Sequence, residues 1–258
     1  MEFNVPAIKP KQTDKIGLID ADYIKYYVIH NMKSETHEGA MEYWIHRAMG
    51  ILNDMFTAKG LIFCFSGYST GTYRNHIAID KKYKGNRDTW SDNNVEEDKL
   101  NIYKYIKDRY PTLMFPDLEA DDIVSMLQDE YTFVFSEDKD LLQVPGTHWN
   151  IKGQKFYEIE DDDAFLFLMR QMLEGDVVDN IPGLKGCGSV GSYNILTNID
   201  SDNIPCGILG EYIKANGVIN GLDRFVENWN LLKLRVNRGD YFQMKYKYAF
   251  DTLKLMKQ

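Results

Sequence analysis

Residues 15–20 of the chain read KIGLID, a short apolar run that ends in the acid Asp20. An uninterrupted apolar run of this length is typical of a buried β-strand. Two more runs, LIFCF at residues 61–65 and YTFVF at residues 131–135, have the same character, and a shorter candidate lies at residues 112–115. Helical patterns fill the intervals. This alternation predicts an α/β fold with a mostly parallel sheet.

The remainder of the chain has a different pattern. From residue 161 onward it is helical, and a glycine-rich stretch at residues 183–191 interrupts it. Residues 80–96 are polar, basic at their start and without apolar periodicity, which indicates a surface excursion. We therefore expect a single unit, with an α/β core over about residues 14–170 and a helical lobe over about residues 171–258.

The composition excludes several classes of protein. The 258 residues are 44% apolar and 27% charged, which suits a packed core and excludes a disordered chain. No apolar stretch approaches the roughly 20 residues of a membrane span, and no apolar signal segment is visible, so we expect a cytoplasmic protein without a membrane partner. Cys64, Cys187 and Cys206 form no C-x-x-C motif, which argues against a disulfide framework and a structural zinc site.

The net charge of −9 at first disfavours a polyanionic partner. The distribution of the charge changes that conclusion, because residues 81–87 (KKYKGNR) and residues 229–258 are both basic. The acids, in contrast, are concentrated in tight groups. The charge pattern therefore leaves a nucleic-acid partner open.

Four acid groups lie at positions where the fold would bring them together. Three of them follow predicted strands, and the carboxyl ends of parallel strands meet at one edge of a sheet, where ligands bind. The fourth is a pair of acids at i, i+3, a spacing that puts two side chains on one face of a helix. The groups are Asp20; Glu119, Asp121 and Asp122; Asp138 and Asp140; and Asp176 and Asp179.

Eight carboxylates in one crevice would repel one another unless a cation held them. Hard Mg²⁺ or Mn²⁺ ions prefer carboxylate ligands, and no His/Cys cluster is present to favour zinc. Two such ions roughly 3.5–4 Å apart form a clamp that hydrolyses phosphoryl groups. Each acid group alone is equally explained as a helix cap or as solvated surface, as we expect for residues 161–163. Their joint placement favours a metal site.

Five motifs in order resemble those of the structure-specific 5′-nuclease family. They are IDAD, YKGNR, LEADD, SEDKD and GDVVDNIPGLKGCG, and the match spans about residues 15–200. The family includes bacteriophage flap endonucleases, 5′→3′ exonucleases and the N-terminal nuclease domain of bacterial DNA polymerase I. The resemblance implies a PIN-like α/β core with a helical arch, a helical DNA-binding lobe with a helix–three-turn–helix, and a two-metal active site.

The resemblance also implies a role for individual residues. Lys84 and Arg87 would lie in the arch and act as catalytic residues that steer the scissile phosphate and stabilise its charge. The carboxylates would serve two metal clusters. Asp20, Glu119, Asp121 and Asp122 would serve the first, directly or through water, and Asp138, Asp140, Asp176 and Asp179 would serve the second.

Other residues are candidates for binding DNA. Tyr83 could stack on a base, and Arg74 belongs to an aromatic–arginine pair of the family. In the glycine-rich stretch, backbone groups and a helix N-terminus can approach a duplex phosphate. The family's loop also holds a K⁺ ion there. The residues of this stretch that we expect to contact DNA are Lys185, Gly186, Gly188 and Ser189.

The chain departs from the family pattern at two places. The family has an acid at the end of the second strand, where this chain carries Ser66 and Gly67. The first metal site is then weaker, or Asp22 takes the place of the acid, or activity is reduced. The helix after the glycine loop begins without a basic residue, which weakens the expected grip on duplex DNA.

The first hypothesis for function is therefore a magnesium-dependent 5′-nuclease. It would be a monomer that hydrolyses DNA phosphodiesters at 5′ ends or flaps, removes RNA primers, and works with replication proteins, in a bacterial host cell if a phage encodes it. The alternatives are a catalytically weak module that binds branched DNA and a ribonuclease with a PIN-like core. The motif at residues 175–188 argues against the ribonuclease.

Overall fold

The computed structural model describes residues 11–32, 39–67, 71–86 and 93–236. Its strands are β1 (Lys11–Gln12), β2 (Ile16–Asp20), β3 (Phe56–Thr57), β4 (Gly60–Phe65), β5 (Thr112–Met114), β6 (Thr132–Phe135), β7 (Gly146–Asn150), β8 (Lys155–Ile159), β9 (Gly175–Asp176) and β10 (Ile181–Pro182). Its helices are α1 (Ala21–Met32), α2 (Ala40–Met55), α3 (Tyr73–Ile77), α4 (Asn93–Lys107), α5 (Ala120–Leu127), α6 (Asp161–Glu174), α7 (Ser189–Asn198), α8 (Ile204–Asn216) and α9 (Val218–Leu232).

The central sheet has six strands in the order β5-β4-β2-β6-β7-β8. Its neighbours pair in parallel, except that β7 and β8 form an antiparallel hairpin. The four apolar runs identified in the sequence all form strands of this sheet. The prediction of an α/β fold with a mostly parallel sheet is confirmed. Part of the expected arch, residues 87–92, lies outside the described residues.

Helices cover both faces of the sheet, which is why its strands are apolar on both sides. Ile19 and Phe63 point to the face that packs against α1 and α2. Leu18 and Cys64, their neighbours in the chain, point to the opposite face and pack with α5. Successive strand residues alternate between faces, so each run of apolar residues stabilises two separate cores.

A third apolar cluster forms the helical lobe. It is built from α6, α8 and α9, with Met172, Ile208, Phe225 and Trp229 among its buried residues. Among the described residues, no helix is both long and apolar enough to cross a membrane.

The segment that carries Asp176 and Asp179 differs from the expectation of a shared helical face. After α6 the chain forms the two-residue strands β9 and β10, joined by a turn. Asp176 Oδ1 accepts hydrogen bonds from the N–H groups of Val178 at 2.8 Å and Asp179 at 3.3 Å, and so fixes the turn. An i, i+3 spacing also fits such a turn, in which an aspartate bonds the backbone two residues on.

This turn depends on two glycines that approach each other closely. Gly175 has φ +74°, a left-handed conformation, and a Cβ on it would lie 2.2 Å from the backbone nitrogen of Gly183. Such a contact is impossible without movement of the backbone. The two glycines therefore allow α6 to end directly beside the turn that carries Asp176.

Replacing Gly175 with alanine tests this close approach. We expect Gly175→Ala to lower the free energy of unfolding by about 2–4 kcal/mol, because it adds backbone strain and a clash with Gly183. The matched control is Gly210→Ala in α8, where a Cβ has no atom within 4 Å. That variant should be neutral or stabilising by up to about 1 kcal/mol. Urea unfolding measures both, and equal effects of the two substitutions would contradict the argument.

Candidate active site

A cavity of about 390 Å³ opens at the carboxyl edge of the sheet, where β2, β4 and β6 end. Acids and bases from five separate parts of the chain line it. The acids are Asp20, Asp22, Glu96, Glu119, Asp121 and Asp138, and the bases are Lys25, Lys84 and Lys99. Four of the eight acids selected in the sequence thus line one cavity, as the parallel topology requires.

Asp20 is the last residue of β2 and is buried. Its carboxylate accepts hydrogen bonds from Ser136 Oγ at 2.8 Å and from the N–H of Asp22 at 3.1 Å. Burial, together with the nearby charges of Asp22 and Asp138, raises the pKa of Asp20 to about 7. A nearby cation would offset the burial and the neighbouring negative charges, and so would stabilise the ionised form of Asp20.

Glu119 precedes α5 and begins the helix through a capping box with Asp122. Burial opposes ionisation of Glu119, but the positive charges of Lys84 and Arg74 outweigh it and lower its pKa to about 2. Asp121 is the second residue of α5, and its pKa is shifted in the opposite direction. Burial and the charge of Asp122 raise the pKa of Asp121 well above its usual value. Neighbouring acids on one helix turn therefore have opposite electrostatic surroundings.

Asp122 points away from the cavity and is fully buried. Arg74 donates to both of its oxygens, from Nη1 at 2.6 Å and Nη2 at 2.9 Å. Arg74 also donates from Nη1 to Glu119 at 3.0 Å and from Nε to the carbonyl of Leu231 in α9 at 2.8 Å. This pairing contradicts direct binding of a metal ion by Asp122. The burial of Arg74 contradicts its assignment as a DNA-binding residue.

Tyr83 also differs from the expectation. Its ring is buried in the apolar cluster of the lobe, so it is not free to stack on a base. Its hydroxyl oxygen lies 2.7 Å from Glu119 Oε2 and 2.8 Å from Asp179 Oδ2. The hydroxyl has one proton to share between two carboxylates, and it brings Asp179 close to Glu119. An aromatic residue in a polar segment gave no sign of this placement.

Lys84 turns into the cavity from a left-handed backbone position with φ 53°. Its Nζ lies 2.5 Å from Glu119 Oε1 and 3.7 Å from Asp179 Oδ2. Burial alone would lower the pKa of Lys84, but the charges of Glu119 and Asp179 raise it above its ordinary value. Lys84 therefore stays an ammonium ion. Arg87, its expected partner, lies outside the described residues.

A second acid group adjoins the cavity. Asp138 accepts the N–H of Asp140 at 2.9 Å at the start of a short 3₁₀ helix, Lys139–Gln143. Asp140 accepts from Gln171 at 2.6 Å, and burial and the charge of Asp138 raise its pKa to about 7. The charges of Asp176 and Asp179 contribute to the same shift. Asp140 therefore senses the charges of Asp138, Asp176 and Asp179, and the role of these four acids as a second metal cluster stays a prediction.

The sequence did not draw attention to two lysines near these acids. Lys139 Nζ lies 2.7 Å from Asp176 Oδ2, and the buried Lys25 lies 2.6 Å from Asp22 Oδ1. Lys25 follows Asp22 by three positions on α1, a spacing that predicts contact on a helix and was available in the sequence. Both pairs place a positive charge beside an acid at the carboxyl edge of the sheet.

The glycine-rich stretch lies apart from the cavity. Lys185, Gly186, Gly188 and Ser189 are exposed, and α7 begins directly after Gly188. The N-terminus of α7 therefore faces solvent, as a contact with a phosphate would require. Their role in binding DNA stays a prediction.

The donor set fits a hard divalent cation, since it consists of carboxylate oxygens whose ionisation burial opposes. Among the described residues, however, no three Asp, Glu, His or Cys side chains stand close enough together to hold a metal ion. A bound cation would therefore need these carboxylates to draw together.

The raised pKa of Asp20 makes the stability of the metal-free protein depend on pH. Between its ordinary value of 3.8 and about 7, the folded protein binds a proton that the unfolded chain has released, so stability falls as pH rises through this range. Asp20→Asn removes this effect. We expect the variant to gain up to about 4 kcal/mol over wild type at pH 8, since one pKa unit is about 1.36 kcal/mol.

At pH 4.5 the same substitution should change stability little. Urea unfolding in EDTA at both pH values measures the difference, and the exposed Asp162→Asn is the control. Glu119 does not interfere, because its lowered pKa affects stability only as pH falls from 4.5 to about 2. A gain of equal size at both pH values would contradict a titrating Asp20.

Comparison with known proteins identifies the family to which this chain belongs. A family model described as "5'-3' exonuclease, N-terminal resolvase-like domain" matches residues 15–167. A 5'-3' exonuclease of Mycoplasmopsis pulmonis is 27% identical over 216 residues, 74% of this chain and 68% of the relative. One from Buchnera aphidicola is 30% identical over 190 residues, 64% of this chain and 63% of the relative. The flap endonuclease of Escherichia phage T5 is 28% identical over 141 residues, 45% of this chain and 48% of that protein.

Solved structures share the fold. The T5 D15 protein co-crystallised with metal ions superposes with a TM-score of 0.63 at 19% identity, over 94% of this chain and 98% of that one. A variant of the same flap endonuclease, in a complex with DNA and metal ions, superposes with a TM-score of 0.65 at 19% identity, over 95% of this chain and 100% of that one. The family model covers more than half of the chain, and the cavity lies within the part that it matches. The chain belongs to the 5′-3′ exonuclease family.

Proposed function

We propose that this protein is a divalent-metal-dependent 5′-nuclease that hydrolyses DNA phosphodiesters at 5′ ends and flap junctions. The observation that carries the proposal is the acid-lined cavity at the carboxyl edge of the sheet, with the ammonium group of Lys84 inside it. The T5 flap endonuclease, which has the same fold, has been crystallised with DNA and metal ions, and this supports the proposal. RNA primers with 5′ ends belong to the same substrate class.

Two groups of side chains would hold two Mg²⁺ or Mn²⁺ ions. The first consists of Asp20, Glu119 and Asp121, and the second of Asp140, Asp176 and Asp179, with Asp138 between them. Bound ions of this kind lower the pKa of water and stabilise charge on a phosphoryl group. Asp122 is left out of the set, since Arg74 occupies both of its oxygens.

The protein's own contribution to the reaction includes a fixed positive charge. Lys84 Nζ is held between Glu119 and Asp179, at the cavity and not on a mobile surface position. A phosphate oxygen that enters the cavity meets there a donor of opposite charge. Such a preorganised donor stabilises charge that develops on phosphorus in the transition state.

A second region would hold the duplex part of the substrate. The exposed stretch from Lys185 to Ser189 offers backbone groups and the N-terminus of α7 to a phosphate. Contacts of this kind read shape and charge and not base sequence. The K⁺ ion that the family resemblance implies would bind at this loop as well.

The first test is cleavage of a labelled 5′-flap duplex. We expect cleavage with Mg²⁺ or Mn²⁺ and none in EDTA, because a divalent ion would lower the pKa of the attacking water and stabilise the charge on phosphorus. Restoring the metal should restore cleavage. Tight binding of the flap with no cleavage under any divalent ion would favour a DNA-binding module instead. The fact that no three metal-ligating side chains of the described residues stand close together also suits this alternative.

The second test concerns Lys84. We expect Lys84→Ala to lower turnover by about 10²–10³-fold, the scale for loss of one transition-state donor, and to change flap affinity only slightly. Lys81→Ala removes an equal charge from an exposed position nearby and should leave turnover within about twofold. Single-turnover kinetics and a binding titration separate the two effects. Equal losses for both variants would show that only the general basic charge matters.

A further inference from the structure

Ser66 and Asp22 stand side by side at the carboxyl edge of the sheet. β2 and β4 pair in parallel with Asp20 opposite Cys64, and Asp22 follows β2 in the first turn of α1 while Ser66 follows β4. Ser66 Oγ donates to Asp22 Oδ2 at 2.5 Å, and the Ser66 N–H donates to Oδ1 at 3.4 Å. The position just after the end of β4 therefore presents the carboxylate of Asp22.

The serine is itself held from the opposite side. The N–H of Ala120, the first residue of α5, donates to Ser66 Oγ at 3.0 Å. The single hydroxyl proton goes to Asp22, and a lone pair accepts from Ala120, so the hydroxyl has one orientation. Through this contact Asp22 is positioned relative to the helix that carries Asp121.

Asp22 faces the cavity and keeps room for a further ligand. Its side chain is 26% exposed, and it lines the cavity together with Asp20, Asp121 and Asp138. Lys25 and the two groups of Ser66 occupy three positions on its oxygens. An ionised carboxylate has about four such lone-pair positions. The carboxylate can therefore accept a cation without losing the contacts with Ser66.

We propose that Asp22 is a cation ligand of this site, aimed by Ser66, and that the two residues together fill one ligand position. The inference rests on the proposed function, because it concerns the same cations. The competing explanation is that Asp22 only stabilises α1 through its ion pair with Lys25, at i, i+3 on the helix. The two explanations differ in the sign of the effect expected when Lys25 is removed.

The first experiment measures binding of Mn²⁺ by titration calorimetry, without DNA and without reference to activity. We expect Asp22→Asn to weaken binding at least about tenfold, the scale for losing even a supporting group at a metal site. The exposed Asp162→Asn should stay within about twofold of wild type, and thermal unfolding shows that both variants are folded. An Asp22→Asn protein that binds Mn²⁺ like wild type overturns the inference.

The second experiment removes Lys25. Lys25→Met keeps an apolar stem beside the ring of Phe65, which Lys25 Nζ overlies at 5.4 Å. If Asp22 is a ligand, the loss of the Lys25 ammonium group, which competes for its carboxylate, should strengthen Mn²⁺ binding several-fold. If the pair is only structural, Lys25→Met and Asp22→Asn should weaken binding alike, and that result overturns the inference.

The third experiment moves the carboxylate across the contact. Asp22→Ser alone should weaken Mn²⁺ binding about tenfold or more, and the double variant Asp22→Ser/Ser66→Asp should return to within about threefold of wild type. No recovery in a folded double variant overturns the claim of one shared ligand position. A wild-type protein that neither binds Mn²⁺ nor cleaves a flap overturns the proposed function as well, whereas failure of the variants alone overturns only this inference.

Discussion

Repulsion among buried carboxylates at the carboxyl edge of the sheet is the constraint on which the site depends. The fold answers part of it with paired cations, since Arg74 bonds Asp122 and Lys84 bonds Glu119. The remainder appears as acids that resist ionisation, with the pKa of Asp20 and of Asp140 raised to about 7 by burial and by neighbouring charges. A bound divalent ion would relieve this remaining repulsion, which would link the stability of the site to its proposed chemistry.

Much of the fold followed from local patterns and one topological rule. Apolar runs such as residues 131–135 predicted strands, because a parallel sheet is covered on both faces. A topological rule placed Asp20 and Asp138 together without any knowledge of distances, since the carboxyl ends of parallel strands share an edge. These inferences needed only the order of strands and acids along the chain.

The corrections concern residues whose environment comes from distant parts of the chain. Asp121 and Asp122 are adjacent and chemically identical, but only the second meets Arg74, and successive residues on a helix point about 100° apart. Tyr83 lies in a polar segment and yet packs in a cluster built by α6, α8 and α9. The sequence offered Asp22 as one substitute for the missing acid at Ser66, but the hydrogen bond between the two residues depends on how β2 and β4 pair in space.

Arg74 has a mechanical consequence for the whole molecule. Its guanidinium joins Asp122 and Glu119 of the core to the carbonyl of Leu231 near the end of α9. Pulling the lobe away from the core would break the bond to Leu231 and leave one donor of a buried guanidinium unpaired, at a cost of about 1–3 kcal/mol. The same buried side chain therefore orders the acids of the cavity and couples them to the last turn of α9, so a change at either end reaches the other through Arg74.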